Sequence, residues 1–240
     1  MLLIKMIRNI QKAILGYETG EITFSQAGED FLIRNFFYPE LSSRESGIFV
    51  DVGAFHPYKQ SNTYYLYRSG WRGINIDPRP KVMDEFKKIR PEDINLEIAV
   101  SDQKQELNYY YLGDDSTMNS FSLSYLESIG QKDNIKKKIA IQTETLSEVL
   151  EKHLPNSKTF RFLSIDAEGL DLNILHSNNW EKFRPELIAV EIKGIEFDDI
   201  LKSEISQYLY SKGYHFYSRI PLPTSGINTV FFCDKSRKKS

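Results

Sequence analysis

Five times along the chain a short apolar run stops at an acidic residue and gives way to a helical pattern. The runs lie at 48–52, 73–77, 94–101, 161–166 and 186–192, and the acids at their ends are Asp51, Asp77, Asp102, Asp166 and Glu191. Such runs are too short for buried helices and read as strands. The segments "SNTYYLYRSGW", "KVMDEFKKI", "LSEVLEKH", "LDLNILHS" and "FDDILKSEISQYLYSKG" carry apolar residues at helical spacing. Ser61 or Asn62 caps the first of these and Gly70 closes it. Strands alternating with amphipathic helices bury their apolar surface best as a parallel sheet covered on both faces. The last two runs, 214–219 and 227–234, have no helix between them, which predicts an antiparallel sheet edge. Two further strands, 106–112 and 138–145, flank a polar stretch at 113–134. That stretch is too long for an ordinary connection and reads as a substrate lid or a disordered insertion.

Composition narrows the function classes. The 240 residues are 40% hydrophobic and 27% charged, which fits one large globular domain. A net charge of −2 gives no general attraction to nucleic acid. The single cysteine, Cys233, cannot form an internal disulfide or a thiol metal site, which suits a reducing, cytoplasmic location. The N-terminal "MLLIKMIRNIQKAIL" is interrupted by Lys5 and Arg8 and is too short to span a bilayer. It reads as an amphipathic helix packed on the domain or on a second subunit of a homodimer. The functional alternative is a helix in weak contact with a membrane surface. Residues 1–45 are expected to form a helical segment capping the pocket, ahead of a catalytic domain at 46–235.

The strand ends converge in such a sheet, because ligands bind beyond its carboxyl edge where the strand order reverses. "VDVGAFHP" (50–57) offers Asp51 and Gly53, and a glycine there would let backbone approach a ligand closely. Asp77, about twenty residues further on, could accept both hydroxyls of a ribose. Only one glycine of the dinucleotide pattern is present, and Pro57 removes an N–H that a pyrophosphate would want. The turn therefore suits a nucleoside cofactor without a diphosphate, such as S-adenosylmethionine.

"FSQAGEDFLI", "FVDVGAFHPYKQSNTYYLYRSGWRGINIDPRP", "LEIAVSD" and "FLSIDAEGLDLNIL", in that order, resemble the FkbM-type S-adenosylmethionine-dependent methyltransferases. The resemblance runs from about Phe24 to Glu191. It implies a Rossmann-like class I methyltransferase fold: a mostly parallel seven-stranded sheet with an antiparallel edge strand and helices on both faces. It implies methylation of hydroxyl oxygens on sugars, glycans or natural-product precursors. It also places Asp51, Gly53 and Ala54 beside the methionine part of the cofactor, Asp77 on the ribose, and Pro78 above the adenine. Ala99, Ser101 and Asp102 would border the ring, and Asp166 would face the sulfonium, with Glu168 and Gly169 framing that turn. Gln26, Glu29 and Asp30 match a signature that closes over the pocket. The chain departs from the common family form at "HPYKQSNT", where a second glycine is missing, so the contacts of His56, Ser61 and Asn62 are left open.

Methyl transfer to an alkyl hydroxyl needs a base to take the proton. His56, Asp166, Glu168 and Glu191 are the candidates, and Asp166 leads because it ends a buried strand. A divalent cation on Asp166, Glu168, Glu191 and His176 is the weaker expectation, since His176 falls on the following helix; no metal ligand is assigned. Two other readings use the same sheet: a nicotinamide-dependent oxidoreductase, opposed by the missing GxGxxG, and a nucleotide- or carbohydrate-binding module without catalysis.

Overall fold

The computed structural model describes residues 22–114, 116–154, 160–222 and 226–237. The N-terminal helix expected over the first fifteen residues lies outside them. The main sheet has seven strands. β1 (Ile48–Val52), β2 (Arg72–Ile76), β3 (Ile94–Leu96), β7 (Phe160–Ile165) and β8 (Leu187–Lys193) are parallel, while β9 (Tyr214–Pro221) and β10 (Ile227–Asp234) complete it. The order is β3-β2-β1-β7-β8-β10-β9, with β10 antiparallel to both neighbours. The chain runs outward from β1 through β2 to β3, then returns to place β7 on the other flank of β1. The carboxyl ends of β1 and β7 therefore form the topological switch point, where a crevice opens.

Why the strands bury on both faces is visible in β1, all five of whose residues are buried. Val50 and Val52 join a cluster with Leu146, Val149, Ile174 and Ile188, while Phe49 faces Ile33, Phe37, Trp71 and Phe162 on the opposite side. Each such fully buried aliphatic or aromatic side chain contributes roughly 1.5–3 kcal/mol. Helix α1 (Glu29–Phe36) and the residues leading into α2 (Tyr38–Ser43) supply Ile33 and Phe37 to that second cluster, so both helices pack against the sheet face rather than over the crevice. Helix α3 (Tyr64–Arg68) follows β1. Ser61 Oγ accepts its first N–H, from Tyr64, at 3.1 Å, and Gly70 turns the chain out of it at φ +96°.

Helix α4 (Val82–Ile89) links β2 to β3. The apolar run 94–101 is two strands, not one. β3 pairs with β2, but β4 (Ala99–Ser101) leaves the main sheet and pairs with β6 (Lys137–Thr145), which also pairs antiparallel with β5 (Glu106–Tyr111). The cause is local. Asp77 N donates to Leu96 O at 3.2 Å, but the next ladder donor, Arg79 N, bonds to Asp77 Oδ1 at 2.9 Å, and Pro78 has no N–H to offer. The chain then crosses to β6 and builds a second, three-stranded sheet.

The polar stretch 113–134 has structure of its own. It holds α5 (Leu123–Ser128), capped by Ser122, and a 3₁₀ turn at Lys132–Asn134. Thr145 at the end of β6 forms a capping box with Glu148 at the start of α6 (Leu146–His153). Helix α7 (Asp171–His176) follows β7. The single long helix expected after β8 is divided into α8 (Phe197–Lys202) and α9 (Glu204–Ser211). Ser203 breaks it with an extended ψ of 151° and uses its hydroxyl to accept Ser206 N at 3.2 Å. Among the described residues no helix is long and apolar enough to cross a membrane.

Candidate active site

A cavity of about 580 Å³ opens at the switch point, a size usual for a small-molecule site. Asp51, Gly53, Asp77 and Pro78 line one end, and Asp166, Glu168 and Glu191 line the other. Gln26, Ala54, Asn62 and Ala99 also reach it.

At the first end every exposed turn donor is already engaged. Gly53 N and Ala54 N both donate to Ile76 O, at 2.9 and 3.1 Å, and Phe55 N donates to Asp77 Oδ2 at 3.0 Å. The glycine is required for a reason other than ligand approach. Gly53 has φ +79°, and a Cβ there would lie 1.7 Å from the carbonyl oxygen of Asp166. It is the chain's own β7 that comes close.

Asp51 and Asp77 are both buried and both held by internal partners. Thr63 Oγ1 donates to Asp51 Oδ2 at 2.6 Å and accepts from Arg90 Nη1 at 3.0 Å. Arg90 is wholly buried and pairs through Nε with Asp93 at 2.8 Å. Asp93 in turn takes the N–H of Gly73 and the amide of Asn75, so the relay is anchored in β2. Burial raises the carboxyl pKa of Asp51, opposed by the Thr63 hydrogen bond and the Arg90 charge. Asp77 accepts from Phe55 N and Arg79 N, and the Arg79 guanidinium stands 3.7 Å away; burial raises its pKa, and Arg79 opposes the shift. Each Asp77 oxygen keeps a lone pair for a hydroxyl donor. Arg79 also donates to Asp114 O at 2.5 Å and to Phe55 O, locking the two loops over the cavity wall.

The expected residues divide into those at the cavity and those beside it. Glu29 accepts Ala27 N at 2.7 Å, and Asp30 accepts Phe24 N at 2.9 Å and Ser25 Oγ at 2.9 Å. Both carboxylates stay outside the cavity and fix the strap that presents Gln26. Ser101 is buried behind the wall and donates to Asp102 Oδ1 at 3.0 Å, while Asp102 faces solvent, carried away by the departure of β4. Of the three residues expected to border the adenine ring, Ala99 lines the cavity, with Ile98 and Val100 beside it. His56 is also outside: its Nδ1 accepts from Tyr58 N and Lys59 N at 3.2 and 3.0 Å, and its Nε2 lies 3.5 Å from Glu85. An imidazole with its basic nitrogen so occupied has no lone pair to offer a substrate, and burial lowers its pKa further. His176 is on the exposed side of α7, packed against Tyr208.

The second end is electrostatically different. Asp166, Glu168 and Glu191 converge there, and burial raises all three carboxyl pKa values, helped by neighbouring acids: Glu191 and Glu168 at Asp166, Asp171 at Glu168, and Glu168 at Glu191. Glu168 is pushed up to about 7 and Glu191 to about 8, each mainly by desolvation. Glu168 holds a left-handed φ of +49°, a conformation that costs an ordinary residue roughly 1–2 kcal/mol. Two clamps hold that turn. The Asp171 carboxylate accepts Ala167 N and Gly169 N, both at 3.2 Å, and Ser120 Oγ donates to Glu168 O at 2.7 Å. The Tyr125 hydroxyl lies beside the Glu168 carboxylate and favours its charged form, and Lys193 Nζ lies 4.4 Å from the centre of the Tyr125 ring.

The residues fit S-adenosylmethionine. An apolar shelf, two carboxylates that retain acceptor capacity, and the side-chain amides of Gln26, Gln60 and Asn62 line one cavity. With the turn N–H groups consumed, those amides would be donors for an amino-acid tail, although Asn62 Nδ2 also donates to Ser164 Oγ at 3.2 Å.

Strand order and switch-point cavity together define a Rossmann-like class I methyltransferase fold. The family model described as "Methyltransferase FkbM domain" matches residues 51–216, and the chain belongs to that family. It is an S-adenosylmethionine-dependent methyltransferase. No curated protein matches it. Among solved structures it is similar to a TehB-like SAM-dependent methyltransferase from Corynebacterium glutamicum, with 14% identity and TM-score 0.40 over 97% of this chain and 96% of that one. It is also similar to a precorrin-6y C5,15-methyltransferase from Geobacter metallireducens, with 12% identity and TM-score 0.42 over 85% of this chain and 89% of that one.

Proposed function

We propose that the protein is an O-methyltransferase acting on a hydroxyl of a sugar, glycan or natural-product precursor, with Glu168 as the base. The observation that supports this is the trio Asp166, Glu168 and Glu191, proton-holding near neutral pH, at one end of a cavity whose other end suits the cofactor. When bound, S-adenosylmethionine supplies an electrophilic methyl group and leaves as the thioether. Asp51, Asp77 and the amides hold and orient it, so the acceptor needs only correct placement at near-attack distance. A hydroxyl is too weak a nucleophile to react protonated. Glu168 takes its proton at the carboxylate, and a base with pKa near 7 is matched to operation at neutral pH. Burial, with the Asp171 charge behind it, keeps Glu168 basic. The neighbouring Tyr125 hydroxyl favours the charged form of the accepting carboxylate.

The test is a transfer assay with a labelled methyl donor against hydroxylated and aminated acceptors, run beside calorimetry with S-adenosylhomocysteine. Transfer to oxygen, with a rate that rises through about pH 7, is the expected result. Transfer to nitrogen or carbon alone sinks the reading.

A further inference from the structure

A second cavity of about 520 Å³ adjoins the first and shares Tyr125, Glu168, Glu191 and Lys193 with it as a common wall. Its far side is built by Ser122 and Ser124 of the α5 segment, Leu172 of α7, and Ser203, Glu204 and Ile205 around the break between α8 and α9. The interruption of that helix is what brings the last three to the cleft.

An inventory of protons shows what this cleft can bind. Ser128 Oγ donates to Tyr125 O at 2.7 Å, and Ser203 Oγ donates to Ile200 O at 2.8 Å. Ser122 Oγ and Ser124 Oγ lie 3.0 Å apart, so one donates to the other and one O–H of the pair is left over, and Ser122 also accepts Tyr125 N. Of these four hydroxyls three spend their protons within the protein, so the set faces the cleft with lone pairs and a single O–H. Glu168, Glu191 and Glu204 add carboxyl oxygens, Asp171, already engaged by two turn N–H groups, lines the same cleft, and Lys193 is the one cationic side chain among the described lining residues. Its ammonium stands over the Tyr125 ring. A wall dominated by acceptor oxygens suits a ligand rich in O–H or N–H donors, offers a phosphate or carboxylate few donors, and turns negative as Glu168 and Glu191 lose their protons. Leu172, Ile205 and Ile227 give an apolar strip for a C–H face.

We propose that this second cavity seats the acceptor and selects a polyhydroxylated, non-anionic sugar unit, neutral or amine-bearing, over phosphorylated or carboxylated ones. The proposal rests on the O-methyltransferase reading and adds to it a place and a charge preference. Glu204 is its specificity-determining residue, exposed at the cleft edge and apart from the reacting groups.

The test uses labelled S-adenosylmethionine and three probe sets: methyl hexosides, hexosamines and hexose 6-phosphates of glucose, galactose and mannose. The expected kcat/KM for the phosphates is lower by about tenfold or more, the scale of one unfavourable like-charge contact. Glu204→Lys should narrow that gap about tenfold. Ile205→Trp and Leu172→Trp, made separately to guard against one failing to fold, should each cut transfer at least about tenfold while S-adenosylhomocysteine affinity by calorimetry stays unchanged. Phosphates used as well as their neutral counterparts overturn the charge preference. Transfer that survives both tryptophans overturns the placement and leaves the O-methyltransferase reading standing. Failure of every hydroxylated probe to accept a methyl group overturns both.

Discussion

The two ends of the main cavity are both rich in carboxylates, yet they are built on opposite principles. At the β1–β2 end, Asp51 and Asp77 each have donors within hydrogen-bond reach and an arginine close behind, Arg90 through Thr63 and Arg79 directly. At the β7–β8 end, the carboxylates of Asp166, Glu168 and Glu191 face one another, with Tyr125 and a single lysine for relief. Partnered acids keep their shape and hold a ligand. Acids that repel one another keep protons in reserve and can exchange them. Identical residue types thus serve as scaffold at one end and as chemistry at the other, and the distinction lies in their neighbours.

That contrast can be broken most severely where the two ends touch. Gly53→Ala would drive a methyl into the Asp166 carbonyl at a left-handed φ, and should cost on the order of 3 kcal/mol of stability by denaturant unfolding. A loss under about 0.5 kcal/mol, the range of ordinary surface changes, would show that the two turns are not keyed together there. Next in size, Glu168→Gln should lower turnover by about 100-fold or more, the usual contribution of a general base, while leaving S-adenosylhomocysteine affinity within about threefold. Equal losses in both would move Glu168 to the binding side of the comparison. Asp77→Asn should do the reverse, weakening S-adenosylhomocysteine by about tenfold with little change in turnover at saturation, because it keeps one acceptor oxygen but gives up the charge. Asp77→Ala is the poorer probe, since it also frees the N–H groups of Phe55 and Arg79.

The smallest effect is on pH. Glu168 and Glu191 hold protons in the folded state that the unfolded chain releases near the ordinary glutamate value of 4.5. Their contribution to stability is therefore complete below that value and is lost as pH rises through about 7 and 8. The thermal midpoint of the ligand-free protein should fall over that interval, and Glu191→Gln should recover roughly 2–4 °C of it at pH 8. A midpoint that rises instead, or a variant with an unchanged slope, would mean the acids are compensated after all.

Much of the fold is legible in the chain itself. The apolar runs at 48–52, 73–77, 161–166 and 186–192 become β1, β2, β7 and β8 because buried parallel strands admit few polar residues. The run at 94–101 misleads, since apolarity cannot show that Arg79 N would abandon the ladder for Asp77 and send β4 elsewhere. Asp102 is lost from the cavity for that reason alone. His56 stands in the right turn, but which way an imidazole nitrogen faces depends on two backbone donors downstream. Thr63, Arg90 and Asp93 act together across 27 and 3 residues of sequence, a relay no local pattern displays. Tyr125 and Lys193 meet only because the α5 segment folds back over β8. Asp171 is the exception that could have been read: an acid two residues past "EG", at the start of a helix, is placed to gather free turn amides.

The small sheet has a wider implication. Lys136 N bonds Tyr111 O at 2.9 Å and Tyr111 pairs with Lys137, so the excursion from 112 to 136 departs and returns at a single doorway. Whatever peptide is spliced into that doorway inherits a ready frame, and the seven strands beneath need not shift their register. Such a graft must still answer two ties that cross the cleft, Arg79 to the carbonyl at 114 and the hydroxyl at 120 to the turn at Glu168.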